Sequence, residues 1–172
     1  MVRPNLDNLP EFALPADYGL RWFQAGDEEN WLRIHLAADH YNEITPALFQ
    51  RQFGTAANLL RERQCYLLDA RGIAVGTGTA WFNNSLDGMK FGRAHWMAIM
   101  PEHQGRGLGK ALMTTICRRL RALGHDRVYL STSTGRLPAI RLYLRFGFVP
   151  RVGNEEEAAA WREVNRLLGT VG

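Results

Sequence analysis

The chain has 172 residues, 46% of them hydrophobic and 22% charged, which is close to single-domain length and enough to bury about two-thirds of the unfolded surface. Disorder, collagen and coiled coil are excluded by that composition, and no apolar run approaches the roughly 20 residues of a spanning helix. The formal charge of +4 is uneven: between Pro101 and Arg151 ten basic residues face only Glu102 and Asp126, and the rest of the chain is net acidic.

Residues 1–16 carry Pro4, Pro10 and Pro15 and read as an irregular lead-in to a single domain covering 1–172. Residues 18–23 (Tyr-Gly-Leu-Arg-Trp-Phe) read as a strand. Asp27 is the expected N-cap of a helix running to about His40, with Trp31, Ile34, His35 and Ala38 on one buried stripe. Thr45-Pro46 opens a second helix toward Arg63, which Gly54 would interrupt. The period then changes to that of strands over 65–69, 73–82 and 92–99, with turn chemistry at 69–72 and 83–88, giving three antiparallel strands. A helix over 108–123 with Leu112, Ile116 and Leu120 inward stops at Gly124. A strand over 127–132, a helix over 138–146, a strand over 148–152 and a final helix over 155–168 complete the chain. The strand at 92–99, the helix and the strand at 127–132 form a crossover unit, so those two strands should be parallel within a mixed α/β (α+β) sheet.

Cys65 and Cys117 are too few for a disulfide framework, and the five histidines form no metal-spaced pair, so a reducing cytoplasm and no metal are expected. The N-terminus lacks the basic and apolar stretches of an export signal.

Pro101-Glu-His-Gln-Gly-Arg-Gly-Leu-Gly-Lys110 lies between a strand and a helix, where unpaired amides and the helix dipole favour an anion. It is not a P-loop, since three residues rather than four separate Gly105 from Gly109 and Ala111 follows Lys110. Nor is it a dinucleotide fingerprint, whose third glycine is replaced by Lys110. Gln104-x-x-Gly107-x-Gly109, the preceding Met97-Ala-Ile-Met-Pro101 and the later Ala139-x-x-x-Tyr143-x-x-x-Gly147-Phe148 resemble the GNAT superfamily of acetyl-CoA-dependent N-acetyltransferases. The resemblance is sharp over 92–150 and loose over 18–91.

It implies a GNAT-like, mostly antiparallel sheet with a splayed parallel pair, flanked by helices. Acetyl-CoA would be the co-substrate, and a small-molecule or peptide amine the acceptor. Gln104, Gly105, Arg106, Gly107, Leu108, Gly109 and Lys110 would hold the pyrophosphate, and Met97, Ala98 and Ile99 the pantetheine arm. Arg136 stands where the family often has Asn, so it, Ser133 or Thr134 would take that role. Tyr143 would protonate the leaving thiolate, or else be a core tyrosine beside Leu142 and Phe146. His95, on the same strand face as Met97 and Ile99 by simple alternation, is the first candidate for the base and Glu43 the second; a hydrogen-bonded core histidine is the other reading of His95. Trp81, Phe82, Trp96, Tyr41 and Asn42 flank the expected acceptor side, where core packing is the alternative. A catalytically silent acyl-CoA sensor and a nucleic-acid-binding protein are the competing functions; the basic residues coincide with the phosphate loop and bring no aromatic RNA motif, so no nucleic acid and no membrane are expected as partners. The oligomeric state, a homodimer included, stays open.

Overall fold

The computed structural model describes residues 1–54, 57–86 and 89–169, with backbone alone for 83–86 and 89–90. Six strands form one sheet in the order β1-β6-β5-β4-β3-β2. They are β1 (Val2–Arg3), β2 (Gly19–Trp22), β3 (Gln64–Leu68), β4 (Ala74–Leu86), β5 (Met89–Ile99) and β6 (Val128–Tyr129). All neighbours are antiparallel except β5 and β6. The parallel pair is joined by a crossover through α4 (Leu108–Ala122), as the sequence spacing requires.

Strand alternation sends Cys65 and Leu67 to one face of the sheet and Tyr66 to the other. On the first face α4 buries Leu112, Ile116 and Leu120 against Val75, Ala94 and Val128. On the second lie α1 (Asp27–Ala38), α2 (Pro46–Phe53) and α3 (Ala57–Arg63), whose core is aromatic: Trp31, Phe49, Phe53 and Tyr66. The two α-helical layers therefore sandwich the sheet. α5 (Leu137–Arg145) and α6 (Glu155–Leu168) pair around Ile140, Val164 and Leu168.

Several local expectations change. Asp27 is the first helical residue, behind Gly26 at φ 93°, and its carboxylate instead gathers Arg21 (2.5 and 2.7 Å), the Gln24 amide and Asn30. The stretch from Pro46 to Arg63 is two helices rather than one. Thr45 caps the first through the Leu48 amide, and Gly54, at φ 66° and ψ −153°, leaves helical geometry after Phe53. The central hairpin strands reach Leu86 and Met89, so Asn83–Leu86 is strand; the turn expected at Asp87 and Gly88 lies outside the described residues. The lead-in is not wholly irregular, because Val2 and Arg3 pair with Tyr129 and Val128. The strand expected over 148–152 is a single bridge, Val2 to Val149: Pro150 has no N–H to extend a ladder, and Val149 is half exposed.

Gly147 ends α5 at φ 73°, and a methyl group there would collide with the Arg3 guanidinium, which donates to the Phe146 carbonyl. Gly147→Ala therefore combines left-handed strain, which costs roughly 1–2 kcal/mol, with loss of that buried anchor. Urea denaturation is expected to show a lower midpoint at unchanged slope; a midpoint equal to that of the wild type would contradict the packing described.

Candidate active site

The two parallel strands do not stay paired. β5 and β6 share only Gly92↔Val128 and Arg93↔Tyr129, after which the edge of β5 from Ala94 to Ile99 has no strand beside it. The Met100 amide donates to Val75 of β4, so by strand alternation the N–H groups of Ile99 and Met97 face the vacated edge. Such groups need partners when water is excluded.

The strand is also bulged. Between the pairs Thr79↔His95 and Thr77↔Ala98, β5 has one residue more than β4, and Trp96 takes φ 45°, the left-handed region that aromatic side chains rarely enter. The extra residue breaks alternation: Met97 and Ile99 pack on the α4 face, while His95 and Trp96 both join the aromatic core of α1 and α2. His95 thus does not share a face with Met97 and Ile99. Its Nε2 lies 3.0 Å from Gln52 Oε1 against Phe53, and burial, then Arg93 and His35, push its pKa down to about 2. It does not line the cleft, and neither does exposed Glu43.

The cleft, about 590 Å³, opens where the strands part. At one end is the turn into α4. Gln104 Nε2 donates to the Ile99 carbonyl at 2.8 Å, tying the turn to the tip of β5. Gly107 precedes α4 at φ 84° and takes the Lys110 and Ala111 amides, whereas the amides of Gly105 through Gly109 have no backbone acceptor among the described residues. A Cβ at Gly105 or Gly107 would stand in open space, so the bare backbone is accessible to a ligand there. Lys110 lies 5.4 Å from the Phe12 ring, and Arg145 covers the same ring at 5.9 Å. Of the expected pyrophosphate ligands all but Arg106 line the cleft; its guanidinium bonds the Glu102 carbonyl instead.

Tyr143 lines the middle of the cleft from α5, along with Leu142 and Met97. Burial raises its pKa, Arg136 opposing, so the phenol is protonated at neutral pH.

The far wall contains residues the sequence did not single out. Asp39 lies just past α1 with its side chain 3% exposed; it accepts from Arg136 (2.7 Å), the Tyr41 amide (2.8 Å) and Asn42 (2.9 Å). The Arg136 guanidinium also lies 4.6 Å from the Tyr41 ring centre. Arg136, expected at the coenzyme, therefore closes a strap from the α1–α2 loop to α5 across the cleft. Burial works against the Asp39 charge, but these hydrogen bonds prevail and hold its pKa below the ordinary carboxylate value. His35, 2% exposed, lines the same wall with no hydrogen-bond partner for either ring nitrogen among the described residues. Each unsatisfied polar group of that kind costs about 1–3 kcal/mol. Trp96 stacks edge-on to Trp31 and His35; Trp81 packs on Phe53 and carries Phe82 stacked on it, and none of the three lines the cleft. Among the described residues no three His, Cys, Asp or Glu side chains are grouped to hold a metal ion, and no helix is long and apolar enough to cross a membrane.

Comparison with known proteins agrees with this geometry. The model of the acetyltransferase (GNAT) family matches residues 22–148. The chain belongs to the GNAT family. A mycothiol acetyltransferase of Pseudarthrobacter chlorophenolicus is 34% identical over 152 residues, which are 82% of this chain and 45% of that protein, so the chain spans about half the length of the curated relatives it matches. Among solved structures, a GCN5-related N-acetyltransferase from Sphaerobacter thermophilus superposes with a TM-score of 0.68 at 23% identity, covering 85% of this chain and 46% of the other. The Salmonella typhimurium protein yncA, solved with its cofactor acetyl-CoA, superposes at 0.61 with 18% identity, covering 79% and 82%. The mixed, mostly antiparallel GNAT sheet and the helical C-terminus expected from the sequence are both present.

Asp39→Ala leaves three donors without their acceptor and is expected to cost about 2 kcal/mol, allowing for the partial exposure of Arg136. Because the folded-state pKa of Asp39 is depressed, its contribution is complete above the unfolded value of about 4 and lost as pH falls through the lower folded value. Denaturation at neutral and acid pH should show the wild-type advantage over Asp39→Ala shrinking in acid; a pH-independent difference would contradict the ionised strap.

Proposed function

We propose that this chain transfers an acetyl group from acetyl-CoA to a primary amine by direct attack of the amine within a ternary complex, with Tyr143 protonating the departing thiolate. The observation that carries the reading is the continuity of one cleft. Gly105, Gly107, Leu108 and Gly109, whose amides have no backbone acceptor among the described residues, line it together with Met97 to Ile99 of the vacated β5 edge and the Tyr143 side chain.

The residues present fit the co-substrate. A diphosphate suits main-chain N–H groups at the positive end of α4, with Lys110 beside them. An amide-bearing arm suits the open edge of β5, which it would complete as an added strand between Met97 and Ile99. The co-substrate supplies an activated thioester. The Ile99 or Met97 N–H on the same edge stands where an oxygen gaining negative charge would be stabilised. Tyr143, its pKa raised by burial, holds a proton for a thiolate sulfur and is ready to give it up as charge develops there.

The acceptor end has little negative charge to offer. Asp39 is the one carboxylate lining the cleft among the described residues, and Arg136 neutralises it. A singly charged or neutral amine suits that wall and a polycation does not. Relatives named mycothiol acetyltransferase make deacetylated mycothiol the first acceptor to test.

Thiol release from acetyl-CoA is expected with deacetylated mycothiol or a simple monoamine such as glycinamide, and at a much lower rate with spermidine. No release with any of them would overturn the reading. Tyr143→Phe is expected to lower kcat about 100-fold or more with the Kd for CoA unchanged, measured by calorimetry; an unaltered kcat would remove Tyr143 from the chemistry.

A further inference from the structure

Every amine acetylated here must shed a proton as it forms its new bond, and the cleft limits what can receive it. Apart from Tyr143, the ionisable side chains lining it among the described residues are His35, Asp39, Tyr41, His103, Lys110 and Arg136. Lys110 and Arg136 are cations. Asp39 is fully engaged by Arg136, Tyr41 and Asn42. His103 sits at the phosphate-loop end with its Nδ1 on the Tyr18 hydroxyl at 3.0 Å. Tyr41 is more than half exposed, with its ring against the Arg136 guanidinium. His35 alone is deeply buried and lines the cleft, with the Trp96 backbone close enough to favour its charged form and no partner at hydrogen-bond geometry for either ring nitrogen among the described residues.

We propose that His35 is the proton acceptor for the attacking amine, reached directly or through one water, and so a catalytic residue on the acceptor wall. The proposal rests on the acetyl transfer set out above. α1 holds the imidazole rigidly: its ring lies 4.3 Å from Trp31 and 5.1 Å, edge-on, from Trp96, the residue that forms the bulge in β5. The side chain is therefore fixed beside the point where the strand turns out of alternation and its edge becomes free. A histidine in the aromatic stripe of α1 with nothing to bond is a poor structural choice, since phenylalanine would pack there without orphaned nitrogens.

The charged groups facing His35 are Asp39 one turn along its own helix and Arg136 from the start of α5; His95 on β5 is neutral. Burial is the largest influence and pushes the His35 pKa down to about 4, while Asp39 and the Trp96 backbone oppose it and Arg136 reinforces it. The imidazole is thus neutral with a free lone pair at physiological pH. Weak basicity is sufficient, because a nitrogen bonding to the carbonyl carbon acquires positive charge and becomes far more acidic than a free ammonium.

In the step, the amine lone pair forms the C–N bond, the carbonyl π pair moves to oxygen, and one N–H proton passes to His35. Re-forming C=O breaks C–S, and the sulfur takes the Tyr143 proton. The imidazolium returns its proton to solvent and the tyrosinate regains one, so the net products are the amide and free CoA thiol, with nothing oxidised or reduced.

His35→Phe and His35→Ala test this, with deacetylated mycothiol and glycinamide as acceptors, thiol release as the assay, and melting temperature and CoA calorimetry as controls. His35→Phe is expected to melt no lower than the wild type and bind CoA equally, with kcat down about 100-fold or more and the KM for acetyl-CoA unchanged. Free imidazole is expected to restore part of the rate to His35→Ala. A His35→Phe enzyme within threefold of wild-type kcat overturns the assignment, as does failure of imidazole to rescue a folded His35→Ala, the deciding result should the phenylalanine variant not fold. A wild type inactive with both acceptors overturns the acetyl-transfer reading and this assignment together, whereas an active wild type with an unimpaired variant overturns only this one.

Discussion

Two strands joined through a crossover helix would ordinarily run side by side to its start, yet β5 and β6 hold each other over only two residue pairs. The parting leaves main-chain donors and acceptors of β5 facing a gap in the middle of the sheet, and most of the site depends on it. The bulge at Trp96 helps to turn that part of β5, the Gln104 side chain holds the following turn against Ile99, and α4 then starts with its free amides at the mouth of the gap. One backbone irregularity thus bears on the position of both the strand edge and the turn into α4.

Charge is arranged around this gap with the same economy. Lys110 stands in the first turn of α4 on the cleft, while the opposite wall is neutralised internally by the Asp39–Arg136 pair. That pair binds the α1–α2 loop to the start of α5, two segments almost a hundred residues apart in the chain. The strap makes the acceptor wall a single unit. Beneath it, an imidazole and two indoles pack edge to face, so the wall is stiff where proton transfer needs short, fixed distances.

What the sequence made legible was local. Glycines at 105, 107 and 109 before an amphipathic helix announce a turn with free amides, and the strand–helix–strand order around them requires a parallel pair; the turn and the pair are both present. Tyr143 follows from its motif and lines the cleft. The bulge was not legible, because nothing about Trp96 among its neighbours distinguishes a left-handed residue from a regular one, and a single added residue inverts the face of everything before it. That inversion moved His95 from the cleft to the aromatic core. β1 and the Asp39–Arg136 strap are products of long-range pairing that periodicity does not encode. His35 was visible only as one member of a buried stripe, and its unpaired nitrogens are a property of the packed state.

Hydrogen exchange resolved to single amides, with and without CoA, addresses the central claim most directly, because it reads the N–H groups themselves. The account requires the Met97 or Ile99 amide and several of those between Gly105 and Gly109 to slow markedly when CoA is added, while the already paired Met100 amide changes little. Exchange at the β5 edge and the turn that is indifferent to saturating CoA would contradict it.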